Sequence, residues 1–236
     1  MRSLRIYYGN RHSCAAMDRL YGQFVHDGDL VFDVGAHVGD RIAAFRRLGA
    51  TVVAVEPQPA LTKTLALLYG RDRAVTIEPT AIGRTSGDIE LMLNVDNPTV
   101  STASDDFVRA AAGAPGWEGQ AWTRSIRVPV TTLDVLIARH GLPAFIKIDI
   151  EGFEAEALAG LTKPVPALSF EFTTIQRDIA IACIQRCSEL GLVCFNAALG
   201  ESQILAHATW QTAEEIAHWL KGLPHAANSG DIYAKR

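Results

Sequence analysis

The 236-residue chain is 48% apolar and 20% charged, a globular composition that excludes a disordered or collagen-like chain and suffices to close one core. Its formal net charge of -4, with Lys and Arg spread along the sequence, provides no basic face to track a phosphate backbone, so nucleic acid is not an expected partner. No stretch approaches the roughly 18 to 20 apolar residues of a membrane span, MRSLRIYYGN lacks the apolar run of a signal peptide, and a cytoplasmic location is expected.

Residues 13–25 repeat apolar side chains at helical spacing (Ala16, Met17, Leu20, Tyr21, Phe24), which predicts an amphipathic helix lying on a sheet. Residues 30–34 form a short branched run ending in a glycine loop, the expected first strand. A helix after Gly39, a stop at Gly49 and a second strand over 51–55 complete a strand, helix, strand unit. Pro59 opens the next helix, with Leu61, Leu65 and Leu68 as its apolar stripe, and 75–82 reads as a third strand.

Beyond it, β-rich segments at 87–95 and 125–130 flank a stretch with Pro98, Gly113, Pro115, Gly116 and Gly119, expected to be a mobile, substrate-selecting insertion with one helical turn. A helix over 133–139 precedes a buried strand over 144–150, then a helix over 154–161, a strand over 167–172 and a helix over 176–190. Strand-like 192–198 and 230–235 suggest an antiparallel pair closing the sheet, with a short strand over 202–206 and a helix over 212–220 between them. Cys14, Cys183, Cys187 and Cys194 form no C-x-x-C pair, and Cys183 and Cys187 share one helix face, so core packing is expected there rather than zinc. The whole reads as one domain over 1–236, with an N-terminal helical cap (1–28) and a variable insertion (96–124).

Three motifs carry chemistry. In VFDVGAHVGD, Asp33 ends a strand, Gly35 permits a tight turn and Gly39 lets the next helix pack close, which puts a ligand at a strand tip and a helix N-terminus. His37 stands where the dinucleotide fingerprint needs its central glycine, which argues against an NAD-dependent oxidoreductase. An aspartate there suits an ammonium or sulfonium better than a pyrophosphate. Glu56 ends the second strand, where a carboxylate can accept from both hydroxyls of a ribose. In KIDIEGFE, Lys147, Asp149 and Glu151 alternate along extended chain, and buried carboxylates need a partner: substrate, cofactor, metal ion or helix amides.

The ordered set LVFDVGAHVG, VVAVEP, TAIGRTSGDIELML, VPVTTLDVLI, FIKIDIEGFEAEALAG and GDIYAKR resembles the FkbM family of methyltransferases from about residue 30 to the C-terminus. The resemblance implies an α/β, Rossmann-like class I methyltransferase with a mostly parallel seven-stranded sheet, an antiparallel terminal strand and helices on both faces. It implies transfer of a methyl group from S-adenosyl-L-methionine to a hydroxyl of a small-molecule or carbohydrate acceptor. Carried onto this chain, Asp33, Gly35, Ala36 and Gly39 hold the methionine end, Glu56 the ribose, and Ala81 and Ile82 the adenine edge, with Pro57 also counted as cofactor-binding. Asp149 and Glu151 fall near the transfer site as the catalytic pair, with Asp149 also beside the cofactor. His37 replaces the asparagine commoner in the family, so whether it binds cofactor or fills the loop stays open. Lys147 is expected to be an ion-pair partner, His140 a weaker base candidate, and Ser101 and Thr102 substrate contacts. Two alternatives stand beside this: a metal-assisted O-methyltransferase with a divalent ion on Asp149, Glu151 and Glu171, and a catalytically silent cofactor-binding module.

Overall fold

The computed structural model describes residues 11–236. The first part of the expected N-terminal cap, residues 1–10, lies outside the described residues. Strands β1 (Leu30–Val34), β2 (Thr51–Val55) and β3 (Val75–Glu78) are joined by helices α2 (Asp40–Arg47) and α3 (Pro59–Tyr69), after the leading helix α1 (Arg11–Tyr21). β1 is parallel to β2 on one side and to β7 (Phe145–Ile148) on the other. The main sheet runs β3-β2-β1-β7-β8-β10-β9, with β8 (Ala167–Thr173), β9 (Cys194–Leu199) and β10 (Ser229–Lys235) completing seven strands. Connections therefore reverse direction between β1 and β7, the switch point at which open α/β sheets leave a crevice beyond their strand tips. β10 is antiparallel to both β8 and β9, so the last strand of the chain is wedged one place inside the edge.

Strand alternation sorts the core into two layers. Phe32, Val34, Val53, Val55, Ile146 and Ile148 meet α5 (Leu133–His140), α6 (Glu154–Ala159), α7 (Arg177–Glu189) and α8 (Ala213–Gly222) on one face. Val31, Val52, Ala54 and Phe145 meet α1, α2 and α3 on the other. Tyr21, at the end of α1, packs 4.8 Å from Phe45 of α2, and Phe24 stacks 5.1 Å from Phe145 and 5.7 Å from Tyr233. Cys183 and Cys187 are fully buried in the α7 layer, where burial pushes both thiols up. Among the described residues no helix is long and apolar enough to cross a membrane.

Three expectations need revision. The third strand divides at Pro79, which has no N–H for the ladder: β3 stays in the main sheet, while β4 (Ala81–Ile82) joins a separate sheet of order β4-β6-β5 with β5 (Gly87–Leu93) and β6 (Arg124–Thr131). Residues 202–206 form no strand, because Gln203 adopts φ 54 and the backbone bonds from this segment to β9 are isolated, Ser202 N to Leu199 O and Ala206 N to Ala197 O. The insertion carries more than one helical turn, since α4 (Asp105–Ala111) is capped by Ser104, whose Oγ accepts from Phe107 N at 3.1 Å. Val100, Phe107, Ala111 and Trp117 form a cluster of their own, and Trp122 Nε1 donates to Val100 O at 2.8 Å.

Candidate active site

The loop leaving β1 is shaped by close approach. Gly35 sits at φ 85, and a Cβ there would lie 1.8 Å from the Asp149 carbonyl oxygen, so the β1 and β7 loops touch backbone to backbone. Its N–H and that of Ala36 both donate to Val55 O, at 2.9 and 3.0 Å. His37 also takes a left-handed conformation, φ 47, unusual for a residue with a side chain. Gly39 caps α2 at φ 83 against Tyr69, whose hydroxyl donates to Gly39 O at 2.7 Å.

Turned this way, the loop offers its amide to Glu56: His37 N donates to Oε2 at 3.0 Å and Gln58 N to Oε1 at 2.8 Å. A carboxylate has about four acceptor positions, so each Glu56 oxygen keeps one. Burial raises the Glu56 pKa to about 7 despite the two amides pulling it down. Glu56 borders a cleft of about 570 Å³ whose apolar walls include Ala81, Ile82, Leu91 and Phe153, with Gly35, His37, Pro57, Ser101, Asp149 and Glu151 also lining it.

A second cleft, of about 910 Å³, adjoins the first along Gly35, His37, Thr99, Asp149 and Glu151. Asp33, Arg41, Trp117, Lys147, Glu171 and Glu201 face it. Asp33 and Glu56, expected to grip one ligand side by side, thus open onto two neighbouring compartments. Asp33 shares its sheet face with Val31 toward α1 and α2, whereas Glu56 lies past the end of β2 and folds back over the loop. Asp33 is 1% exposed with Oδ2 unpartnered, and burial together with the Asp40 charge raises its pKa to about 7.

Lys147, 1% exposed, holds Asp149 Oδ2 at 3.1 Å and Asp231 Oδ1 at 2.8 Å, the ion-pair role expected of it. Burial pushes the Asp149 carboxyl up, but Lys147 and Arg41 outweigh it and leave its pKa below the ordinary value. Glu151 and Glu171 are driven well above theirs, by burial first and by the Asp149 charge second. Strand β7 stops at Ile148, so Glu151 does not continue the alternation; it sits on a turn at φ 54. One oxygen each from Asp149, Glu151 and Glu171 nonetheless lie within 4.8 Å of one another. Glu154 anchors this turn, its Oε1 accepting from Ile150 N at 3.0 Å and Gly152 N at 3.2 Å.

Other expected residues fall elsewhere. Thr102 is fully buried, its hydroxyl donating to Glu151 O at 2.6 Å and accepting from Ser104 N at 2.9 Å, so it supports the turn from beneath instead of facing the cleft. His140 lies outside both clefts, with Nε2 2.8 Å from Glu78 Oε1 at the end of α5. Ala36 and Gly39 shape the loop without lining either compartment. Sequence reasoning did not single out Gln58, Phe153, Trp117, Arg41 or Asp231, although Gln58 follows the EP of the second motif and Phe153 and Asp231 stand inside the KIDIEGFE and GDIYAKR segments.

An open α/β sheet with this strand order, a glycine-bent loop after β1 and carboxylates at the tips of β1, β2 and β7 is the Rossmann-like class I methyltransferase fold. Residues 33–187 match the profile described as "Methyltransferase FkbM domain", and the chain belongs to that family. Membership implies S-adenosylmethionine as the methyl donor. Among solved structures, the chain is similar to precorrin-6y C5,15-methyltransferase from Geobacter metallireducens (12% identity, 95% of this chain and 87% of that one, TM-score 0.40). It is also similar to a TehB-like SAM-dependent methyltransferase from Corynebacterium glutamicum (11%, 94% and 87%, TM-score 0.47). A third is a SAM-dependent O-methyltransferase from Thermotoga maritima (11%, 96% and 65%, TM-score 0.42). No curated protein matches.

Proposed function

We propose that this chain transfers the methyl group of S-adenosylmethionine to a hydroxyl of a small-molecule or carbohydrate acceptor, with the nucleoside in the first cleft and the acceptor in the second. The observation that carries this reading is Glu56: a buried carboxylate, fixed by two backbone amides, with one acceptor position left on each oxygen. Those two positions suit a ribose diol. Ala81 and Ile82 offer an apolar edge for the adenine, with Pro57 beside the ribose. Gly35 and His37 line the passage between the compartments, and the unpartnered Asp33 Oδ2 supplies an acceptor for the methionine ammonium.

When bound, S-adenosylmethionine supplies an electrophilic methyl group on a sulfonium leaving group. The protein's task is then alignment and removal of one proton. Asp149 borders both clefts and is kept ionised by Lys147, so it accepts a hydrogen bond from the acceptor hydroxyl and orients that oxygen. Glu151, raised by its surroundings, is the stronger base whenever it is ionised. Lys147 holds Asp149 in place and makes no other contact with the reaction.

Calorimetry with S-adenosylhomocysteine tests the cofactor half: Glu56→Ala should lose most of the affinity while staying folded, and unchanged affinity removes the ribose assignment. Intact-mass screening of sugar and small-molecule alcohols with labelled cofactor tests the transfer. Cofactor binding with no methylated product across a broad panel would favour the silent module.

A further inference from the structure

The second cleft gathers more carboxyl groups than methyl transfer alone explains. Asp149, Glu151 and Glu171 bring one carboxylate oxygen each to within 4.8 Å of one another at the tips of β7 and β8. The ammonium in reach, Lys147, is already shared between Asp149 and Asp231. Arg41 is committed to Asp40 and to Glu201, at 2.8 Å from the latter. Glu151 and Glu171 have no cation of their own: Glu171 is hydrogen-bonded to Asp149, and the field of Lys147 on both is outweighed by burial and by the neighbouring carboxylates.

A separate observation concerns hydrogen bonding. Glu151 is 9% exposed, and its Oε2 is fully buried with no partner; Glu171 Oε2 is in the same state. Buried carboxylate oxygens are ordinarily satisfied, because a bare one gives up its hydration for nothing in return. Both bare oxygens belong to the side chains that converge with Asp149, and no nearby N–H turns toward them. Thr102 and Glu154 hold the turn's backbone from beneath while leaving the carboxylate of Glu151 unclaimed. Asp149, with 34% of its side chain exposed, is the side from which solvent reaches the group.

We propose that Asp149, Glu151 and Glu171 bind a hard divalent cation of the magnesium and manganese class. All three ligands are oxygen, which suits such ions and not zinc or copper. An octahedral ion with metal–oxygen distances of about 2.1 Å places its ligand oxygens about 3 to 4.2 Å apart, a modest tightening of the observed span. Three carboxylates leave the remaining positions to water and to one acceptor oxygen, the arrangement in which a cation lowers the pKa of a bound hydroxyl. That role rests on the methyl-transfer reading; the binding itself does not.

The test is titration of Mn2+ into EDTA-treated, dialysed protein, followed by the electron paramagnetic resonance of free ion and by calorimetry, with S-adenosylhomocysteine titrated in parallel. Wild type should take up one Mn2+ per chain, displaced by Mg2+. Glu171→Gln and Glu151→Gln should each weaken it about tenfold or more, with circular dichroism unchanged in both and S-adenosylhomocysteine affinity unchanged in Glu171→Gln. Glu201→Gln, on the rim of the same cleft, should change it less than about threefold. No uptake up to millimolar Mn2+, or equal uptake by wild type and both cluster variants, overturns the proposal. Should the variants fail to fold, an Mn2+-induced rise in the wild-type melting temperature and its relaxation enhancement of cleft protons decide the matter, and the absence of both overturns the proposal. S-adenosylhomocysteine binding without Mn2+ uptake rejects the cation alone. Mn2+ uptake without S-adenosylhomocysteine binding rejects the methyl-transfer reading and leaves the cation site standing. An organic ammonium in place of a metal would appear as the first of these, uptake of no Mn2+.

Discussion

Replacing Glu56 with glutamine keeps the shape of the side chain and removes its charge, which isolates the cost of holding an ionised carboxyl in the first cleft. In the folded chain burial raises the Glu56 pKa to about 7 from its ordinary 4.5. The folded state therefore holds this proton more tightly than the unfolded one. Stability from this group is fully present below pH 4.5 and is lost as pH climbs through about 7. At about 1.4 kcal/mol per pH unit, that interval is worth about 3 kcal/mol. The glutamine has no such dependence, although its NH2 faces one of the two amides that the carboxylate accepted, a roughly constant penalty of about 1 to 3 kcal/mol. Urea unfolding followed by tryptophan fluorescence at pH 5, 6, 7 and 8 should therefore show the wild type losing about 2.5 kcal/mol relative to Glu56→Gln across the range, the remainder being lost below pH 5. Glu154, also raised to about 7, titrates in both proteins and cancels in the difference, as does Asp33 apart from its weaker charge coupling to Glu56. Parallel pH profiles for the two proteins would refute the burial argument.

Gly35→Ala should destabilise the fold by about 2 kcal/mol or more and abolish S-adenosylhomocysteine binding, because the added Cβ meets backbone and the conformation is left-handed; a variant with wild-type melting temperature and affinity would show that the β1 and β7 loops do not touch. Asp149→Asn should depress kcat by about a hundredfold or more with cofactor affinity nearly intact, and an equal loss of both would move Asp149 to the cofactor. Phe107→Ala removes the fully buried centre of the insertion cluster, 5.1 Å from Trp117, at a cost of about 3 to 5 kcal/mol. Hydrogen exchange should quicken over 96–124 while β1, β7 and β8 keep their protection; uniform quickening would mean that the insertion folds as one unit with the sheet.

The elements most legible in the sequence were those whose burial is dictated by local pattern. β1, β2 and β7 are mainly apolar because they are covered on both faces, with Asp33 and Lys147 the charged exceptions, and the glycine turn after β1 is fixed by the conformations that Gly35 and Gly39 must adopt. Pro79 was equally visible, yet its consequence depended on a partner: Ala81 and Ile82 could leave the main sheet because β6 lies 49 residues farther on to receive them, Ala81 pairing Val130. The same holds for Thr102 and His140. Their residue types suggested chemistry, and only the packing of the Glu151 turn on one and the pairing with Glu78 on the other assigned them structural positions.

Sequence by itself determined the alternation of strands and helices, the glycine-bent loop and the family, since these follow from short-range periodicity and from backbone conformations that few residues can take. Tertiary structure decided that Asp33 and Glu56 serve adjoining compartments, that Asp231 shares Lys147, and how closely Glu171, already a candidate beside Asp149 and Glu151, approaches them. Charges interact through space across distances of a few ångströms, and which carboxylates come within that range is set by the order of strands in the sheet, a property no local window of sequence contains.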